Sequence, residues 1–152
     1  MRTSLTITFI LIFFSLSLNA QTINEVDGIY YENSIPYTGI YKTYYRDSLI
    51  KVEMNLIGGK KEGITKMFFE DGSLKEIRSY KNNLMDGTWY TYNEKAVKVS
   101  EAYYVEGKKN GLWKIWNDNG KLIYELEYSM GEKTGIWKKY DNSGSLIEER
   151  RY

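Results

Sequence analysis

Short runs of aromatic and aliphatic residues alternate with polar, glycine-containing segments along most of this chain. A typical pair is GLWKIW (111–116) followed by LIYELEY (122–128), with NDNGK (117–121) between them. The runs are too short for ordinary helices and are rich in residues that favour strands. Asn or Asp followed by Gly between such runs signals a hairpin, because glycine adopts positive φ at little cost. The pattern therefore predicts an all-β fold built from two-stranded antiparallel hairpins.

The hairpin pattern repeats with a period of 24 residues. The repeats are marked by five glycines: Gly39, Gly63, Gly87, Gly111 and Gly135. When each is counted as position 0, position 5 is aromatic in every repeat and position 17 is Tyr in the last four. Position 9, inside the hairpin turn, is a structural glycine in three repeats: Gly72, Gly120 and Gly144. A regular period is the signature of a repeat protein and predicts five hairpin repeats over 39–152, the last ending at Tyr152.

A charge pattern inside the repeat predicts the register of each hairpin. If positions 7–10 form the turn, position 6 faces position 11 and position 3 faces position 14. Three repeats then place Lys opposite Glu: Lys42–Glu53, Lys114–Glu125 and Lys138–Glu149. Cross-strand pairs of opposite charge contribute roughly 0.2–1 kcal/mol each, which favours a register without holding the fold.

The same register assigns the side chains to two faces. Positions 2, 4, 11, 13, 15 and 17 share one face, and the Lys–Glu pairs share the other with the position-5 aromatics. A lone hairpin is barely stable in water, so successive hairpins are expected to pair edge to edge. Large aromatics on both faces, with no helix to cover either, predict one elongated, curled, single-layer sheet.

The segment before the first repeat departs from the 24-residue pattern. Residues 21–38 contain DGIYYENSIPYT (27–38), which reads as a shortened hairpin. Pro36 is expected at a sheet edge, because proline cannot donate a ladder hydrogen bond. We therefore expect an N-terminal cap hairpin over 21–38.

Residues 1–20 have the pattern of a secretory signal peptide. One basic residue precedes an apolar run over 5–18, and Ala20 stands before Gln21. A transmembrane anchor is the alternative, but the run is shorter than the roughly 20 residues that span a bilayer. We expect cleavage after Ala20 and an exported protein that is periplasmic, associated with the outer envelope, or extracellular.

The composition argues against several classes of function. The chain has no Cys and no His, so a disulfide framework, the commonest general base and the commonest metal ligand are all missing. Without residues 1–20 the basic and acidic residues balance, which predicts no broad electrostatic footprint for nucleic acid or an anionic membrane. We expect no nucleic-acid partner and do not favour lipid binding.

Carboxylates at position 14 offer the one regular candidate for catalysis. Glu101, Glu125 and Glu149 form a column, and paired carboxylates can hydrolyse glycosides. Equivalent residues of neighbouring hairpins lie on the order of 10 Å apart, which is too far for a retaining pair. A solvated ladder of ion pairs is the preferred interpretation. We expect no catalytic residues, no metal and no cofactor, and hence no enzyme.

The repeat unit resembles the MORN repeat (membrane occupation and recognition nexus) in its variant form. The matching stretches are GTWYTY (87–92), GLWKIW (111–116) and GIWKKY (135–140), and the resemblance extends over 28–152. The unit is most similar to the variant in bacterial proteins labelled antitoxin components of the YwqK type. The resemblance implies a hairpin-repeat fold and supplies no catalytic residues. The antitoxin label implies neutralisation of a cytoplasmic toxin, and the family name suggests lipid binding.

The aromatic columns at positions 2 and 17 are the candidate binding residues. They comprise Trp89, Trp113 and Trp137, with Tyr80, Tyr104 and Tyr128 beside them. They could line a groove for a peptide, a glycan or a partner's strand, because Tyr and Trp dominate interface energetics. They could equally form the core of a one-layer sheet, which we favour for the tryptophans, and the two roles are compatible.

Two functions from different classes follow from these observations. The first is an exported, non-enzymatic binding or scaffold protein that recognises a protein or an envelope component along the aromatic face. The alternative is an antitoxin or immunity-like protein that neutralises a toxin by direct binding. We expect the first.

Overall fold

The computed structural model describes residues 22–152, which form fifteen β-strands and no helix. The expected signal peptide, residues 1–20, lies outside the described residues. The strands are β1 (Ile23–Val26), β2 (Ile29–Glu32), β3 (Ile35–Pro36), β4 (Gly39–Tyr44), β5 (Ile50–Ile57), β6 (Lys60–Phe68), β7 (Leu74–Lys81), β8 (Leu84–Met85), β9 (Gly87–Tyr92), β10 (Lys98–Val105), β11 (Lys108–Lys109), β12 (Gly111–Trp116), β13 (Leu122–Ser129), β14 (Glu132–Tyr140) and β15 (Leu146–Arg151). The predicted all-β fold is confirmed.

Most of the strands belong to one open antiparallel sheet. Its order is β15-β14-β13-β12-β10-β9-β7-β6-β5-β4, with β8 paired to β7 and β11 paired to β10. Each repeat contributes one hairpin, and successive hairpins pair edge to edge as predicted. Strands β4 and β15 end the sheet, so it does not close. Strands β1, β2 and β3 form a separate small sheet, with Pro36 on its end strand β3.

The predicted Lys–Glu register is present in the sheet. Lys42 lies opposite Glu53, and their charged groups are 2.9 Å apart. The pairs at 114/125 and 138/149 lie opposite each other in the same way. These side chains are partly exposed, so each pair adds little to the stability of the fold. The pairs fix register while ring packing and backbone pairing hold the sheet.

The hairpin turn is one residue shorter than predicted. Asn117 N donates to Lys121 O over 2.8 Å, so position 6 bonds position 10 and not position 11. The three loop residues form a turn that ends at Gly120, whose φ is +77° as expected for the turn glycine. The strand pairing returns to the predicted register through a bulge. Trp116 pairs with Leu122, and Ile115 pairs with Tyr124.

The bulge moves one column of side chains to the other face. Directly opposed residues of an antiparallel pair share a face, so Leu122 lies with Trp116. Position 11 was expected on the face of the position-2 tryptophans, and this assignment is wrong. The column at position 11 comprises Ile50, Leu74, Lys98, Leu122 and Leu146.

The connections between hairpins are short, because strand pairing extends into them. Strand β14 begins at Glu132, three residues before the repeat glycine, and β11 occupies Lys108–Lys109. Only Met130 and Gly131 remain as the turn before β14, and both have positive φ. A two-residue turn of this kind matches the right-handed twist of the flanking strands.

Side chains at position 6 close each of the last three turns. Asn117 Oδ1 accepts hydrogen bonds from Asn119 N and Lys121 N, both at 3.0 Å. Asp141 Oδ1 accepts from Ser143 N at 2.8 Å and Ser145 N at 3.0 Å. Local bonds of this type favour turns over regular strands.

The pH dependence of stability is expected to change in Asp141→Asn. The hydrogen bond from the Ser143 hydroxyl, together with backbone N–H groups, lowers the pKa of the Asp141 carboxyl. A lowered folded-state pKa stabilises the fold above the unfolded pKa of about 3.9, and this stabilisation is lost as pH falls through the folded-state pKa. Asn keeps an acceptor, as Asn117 shows, but does not titrate. The variant should melt below the wild type at neutral pH, and the gap should close in acid.

Thermal melts followed by circular dichroism between neutral pH and about pH 3 test this expectation. Asp118→Asn is the matched control, because among the described residues the Asp118 carboxylate accepts no turn hydrogen bond. A gap between Asp141→Asn and wild type that stays constant with pH would contradict the assignment.

The small sheet docks on the first hairpin around the best-packed core of the chain. Leu56 is fully buried and packs with Tyr30 and Met54. Tyr30 N donates to Gly59 O at 2.9 Å, and Gly59 N donates to Tyr37 O at 2.7 Å. Burial, reinforced by Glu25, raises the pKa of Tyr30 to about 12. The small sheet falls within the segment expected to cap the array.

Candidate functional site

A continuous row of aromatic rings runs along one face of the sheet. Tyr and Trp alternate in the order Tyr80, Trp89, Tyr104, Trp113, Tyr128, Trp137 and Tyr152, which we call the aromatic ladder. Adjacent ring centroids are 4.7–5.7 Å apart, and adjacent rings are tilted by 46–58°. Tilted pairs at this separation are a favoured aromatic geometry. The structure thus brings all six candidate binding residues together and adds Tyr152.

Each ladder tryptophan is also fixed by a hydrogen bond to the backbone. Trp89 Nε1 donates to Ser79 O at 3.1 Å, Trp113 Nε1 to Tyr103 O at 3.1 Å, and Trp137 Nε1 to Glu127 O at 2.9 Å. Each acceptor lies ten residues earlier, on the neighbouring strand. The bond explains why the repeat uses Trp, since Phe and Tyr have no donor at that place.

Repeats one and two carry Tyr41 and Thr65 where the later repeats carry Trp. Thr65 is only 3 % exposed, and the ladder stops beside it at Tyr80. Tyr41 packs instead on Tyr30 of the small sheet, with ring centroids 5.5 Å apart. The ladder therefore begins at the end of the second repeat and continues through the later ones, and the first hairpin packs against the cap.

The ladder lies partly in the interior and partly at the surface. Tyr128 is buried, at 9 % exposure, while the three ladder tryptophans are half-buried. Burial raises the pKa of the Tyr104 and Tyr128 hydroxyls. These rings pack the sheet and present part of their surface on the same face.

Basic side chains cover the ladder, which the sequence did not predict. Lys109 Nζ lies 4.6 Å from the Trp113 ring centre and 4.9 Å from that of Tyr128. Lys133 Nζ lies 4.5 Å and 4.9 Å from those of Trp137 and Tyr152. These distances are typical of cation–π contacts. The available signal was the column two residues before the repeat glycine, where Lys61, Lys109 and Lys133 recur.

An open depression of about 280 Å³ adjoins the ladder near its last rings. Its lining includes Ile115, Tyr124, Leu126, Trp137, Arg150 and Tyr152. Apolar walls with a few charged groups are typical of binding sites. The depression and the ladder form one surface, which we call the ladder face.

The glutamate column lies on the opposite face of the sheet, where Lys and Glu alternate from strand to strand. Lys114 lies opposite both Glu101 and Glu125, and Lys138 lies opposite both Glu125 and Glu149. Glu125 also accepts a hydrogen bond from Tyr140 Oη at 2.8 Å. The register is the expected one, but only part of the expected ladder of ion pairs forms among the described residues: Lys114 pairs with Glu125 at 4.0 Å, and Glu101 pairs with Lys98. Within residues 22–152, no group of acidic residues is arranged to hold a metal ion.

The fold and the ladder face define a class of protein: an open, single-layer hairpin-repeat protein with a continuous aromatic ladder on one face. The family model of the MORN repeat variant matches residues 61–82, 109–130 and 133–152. Each matched segment begins at the lysine two residues before a repeat glycine. The resemblance to MORN repeats is thus confirmed over three repeats.

No curated protein and no solved structure shows significant similarity to the chain. Across residues 22–152 there is no helix of the length and apolarity that a membrane crossing needs.

Proposed function

We propose that this chain is a non-enzymatic binding protein that recognises a protein or an envelope component along the ladder face. The observation that supports this proposal best is the continuous row of seven rings, six of them buried or half-buried, which ends in an apolar depression beside the exposed Tyr152. Tyr and Trp rings of this kind supply most of the energy in protein interfaces.

The ladder is held in place before any partner binds. Each tryptophan ring is fixed by two ring neighbours and by its Nε1 hydrogen bond. A rigid surface loses little conformational entropy on binding, which favours affinity. A single-layer sheet also leaves the length of this face open to an extended partner.

Export is part of the same proposal. Residues 1–20 have the signal-peptide pattern described above, and an envelope or extracellular partner suits a protein that leaves the cytoplasm. The antitoxin alternative requires a cytoplasmic toxin as partner. The identity and compartment of the partner therefore separate the two functions.

Site-specific photo-crosslinking in cells tests the proposed surface. A photoreactive residue is placed at Lys109, which lies over the ladder, or at its neighbour Lys108 on the same short strand. Successive residues of a strand point to opposite faces, and both lysines are exposed. We expect a discrete crosslinked partner from position 109 in the envelope fraction and none from position 108.

Equal crosslinking from both positions, or crosslinking from position 108 alone, would contradict the proposed surface. A single cytoplasmic partner with toxic activity, captured from position 109 alone, would support the antitoxin alternative and overturn export.

A further inference from the structure

Positive charge is concentrated on the ladder face although the chain is close to neutral, with a formal charge of +1. Among the described residues, eight basic side chains on this face lie within 6 Å of a ring centre. They are Lys51, Lys61, Lys75, Arg78, Lys109, Lys133, Lys139 and Arg150. Glu76 and Glu148 line the same surface, and Glu25 interacts with Tyr30, over whose ring Lys61 also lies. Basic side chains therefore outnumber the acidic ones beside them.

On the opposite face, three of the cations are held in ion pairs. Lys42–Glu53, Lys98–Glu101 and Lys114–Glu125 approach within 2.9, 2.6 and 4.0 Å. On the ladder face the one ion pair in the described part of the chain joins Arg78 to Glu76, at 2.6 Å. Charge that is segregated in this way creates a local potential that favours an anionic partner.

The cations over the ladder recur at a fixed spacing. Lys61, Lys109 and Lys133 stand at the same position of three repeats, and Met85 stands there in the fourth. Each repeat adds two strands to the sheet, so neighbouring sites are separated by roughly 9.5 Å. A polyproline II chain advances about 9.3 Å in three residues and has three residues per turn, so every third side chain lies on the same side. One residue in three of such a chain would meet one site.

The ring geometry favours a polypeptide over a nucleic acid. The ladder rings pack against each other with centroids 4.7–5.7 Å apart, and lysine ammonium groups lie over their faces. Single-stranded nucleic acids bind such surfaces by stacking bases on free ring faces, which this packing leaves covered. A carboxylate needs no free ring face, because it can bind the lysine ammonium groups and the positively polarised ring edges.

We propose that the ladder face binds an acidic polypeptide in the polyproline II conformation, whose Asp or Glu residues recur at multiples of three residues. This proposal rests on the proposed function and names the chemistry of its partner. The partner's acidic residues meet Lys61, Lys109 and Lys133, and an apolar residue meets Met85 between the first two of these lysines.

Titration of the full chain with synthetic peptides tests the spacing. The probe is a twelve-residue peptide with Glu at every third position and Pro and Ser between. The control has the same composition with its Glu residues contiguous. We expect the spaced peptide to bind about tenfold more tightly. Equal affinity would show that net charge alone acts and would overturn the proposal.

Three variants with intact melting curves test the site. Lys109→Glu should weaken the spaced peptide about tenfold, while Lys108→Glu, on the other face, should change its affinity less than about twofold. Met85→Lys completes the cation column and should tighten binding about threefold to a peptide with Glu at all four sites. Equal losses in the two Lys→Glu variants, or no gain in Met85→Lys, would contradict the site.

The outcomes separate this proposal from the proposed function. A partner crosslinked from position 109 that has no acidic segment of this spacing would leave the proposed function standing and overturn the acidic ligand. Tighter binding of anionic vesicles or of an oligonucleotide than of the spaced peptide would overturn it as well. Failure of both the crosslinking and the peptide titration would overturn both proposals.

Discussion

Gly59→Ala is expected to cost about 3 kcal/mol or more, combining the strain of positive φ with overpacking. Gly59 has φ +77°, and an added Cβ would lie 2.6 Å from Ile29 Cγ2 and 2.8 Å from Tyr30 O. Tyr30 also donates a hydrogen bond from its backbone N–H to Gly59 O. Relief of the clash therefore requires the small sheet to move away from the first hairpin.

Gly58→Ala is the matched control, because Gly58 also has positive φ but an added Cβ would meet no atom within 4 Å. It should cost only about 1 kcal/mol, from backbone strain alone. Urea unfolding gives the stability of each variant, and hydrogen exchange of the Tyr30 amide shows whether the cap is released. Equal costs for the two substitutions would contradict the docking of the small sheet at Gly59.

The four indole N–H groups are expected to differ strongly in their exchange with solvent. Trp89, Trp113 and Trp137 each donate a hydrogen bond to a backbone carbonyl. The Trp89 bond is part-buried, and the other two are exposed. Trp116 lies on the opposite face beside Leu122, and among the described residues its Nε1 has no acceptor. A bond worth roughly 0.5–1.5 kcal/mol slows exchange about two- to tenfold, and burial of Trp89 slows it further.

Much of the fold follows from the period alone. Because glycines, aromatics and the Lys–Glu pairs recur together every 24 residues, one register satisfies all repeats at once. A one-residue slip would move every side chain to the wrong face, so Lys42–Glu53 and its equivalents suffice to fix the pairing. Edge-to-edge stacking follows because an isolated hairpin is not stable.

The bulge could not be predicted from the same pattern. The segment NDNGK (117–121) fits either a three- or a four-residue loop, since both place glycine at positive φ. The shorter loop and the bulge after it leave the Lys–Glu register unchanged while they move Leu122 to the other face. The Lys–Glu pattern is the same for both loop lengths and therefore does not distinguish them.

The cations over the ladder were missed for a different reason. The basic and acidic residues of the whole chain nearly cancel, and EGKKNG (106–111) lies between two hairpins, where the sequence pattern predicts no strand. The structure places Lys109 on β11, where the alternation of a strand directs it to the ladder. A prediction of charge on each face required strand assignments inside the turns, which the sequence does not mark.

Exchange of the four indole N–H signals, followed by NMR, tests directly whether the ladder is fixed to one face of the sheet. We expect three protected signals, with Trp89 the slowest, and one rapidly exchanging signal from Trp116. Assignment uses single Trp→Phe variants. Four indole groups that exchange alike, or a Trp116 signal more protected than those of Trp113 and Trp137, would contradict an aromatic ladder fixed to one face of the sheet.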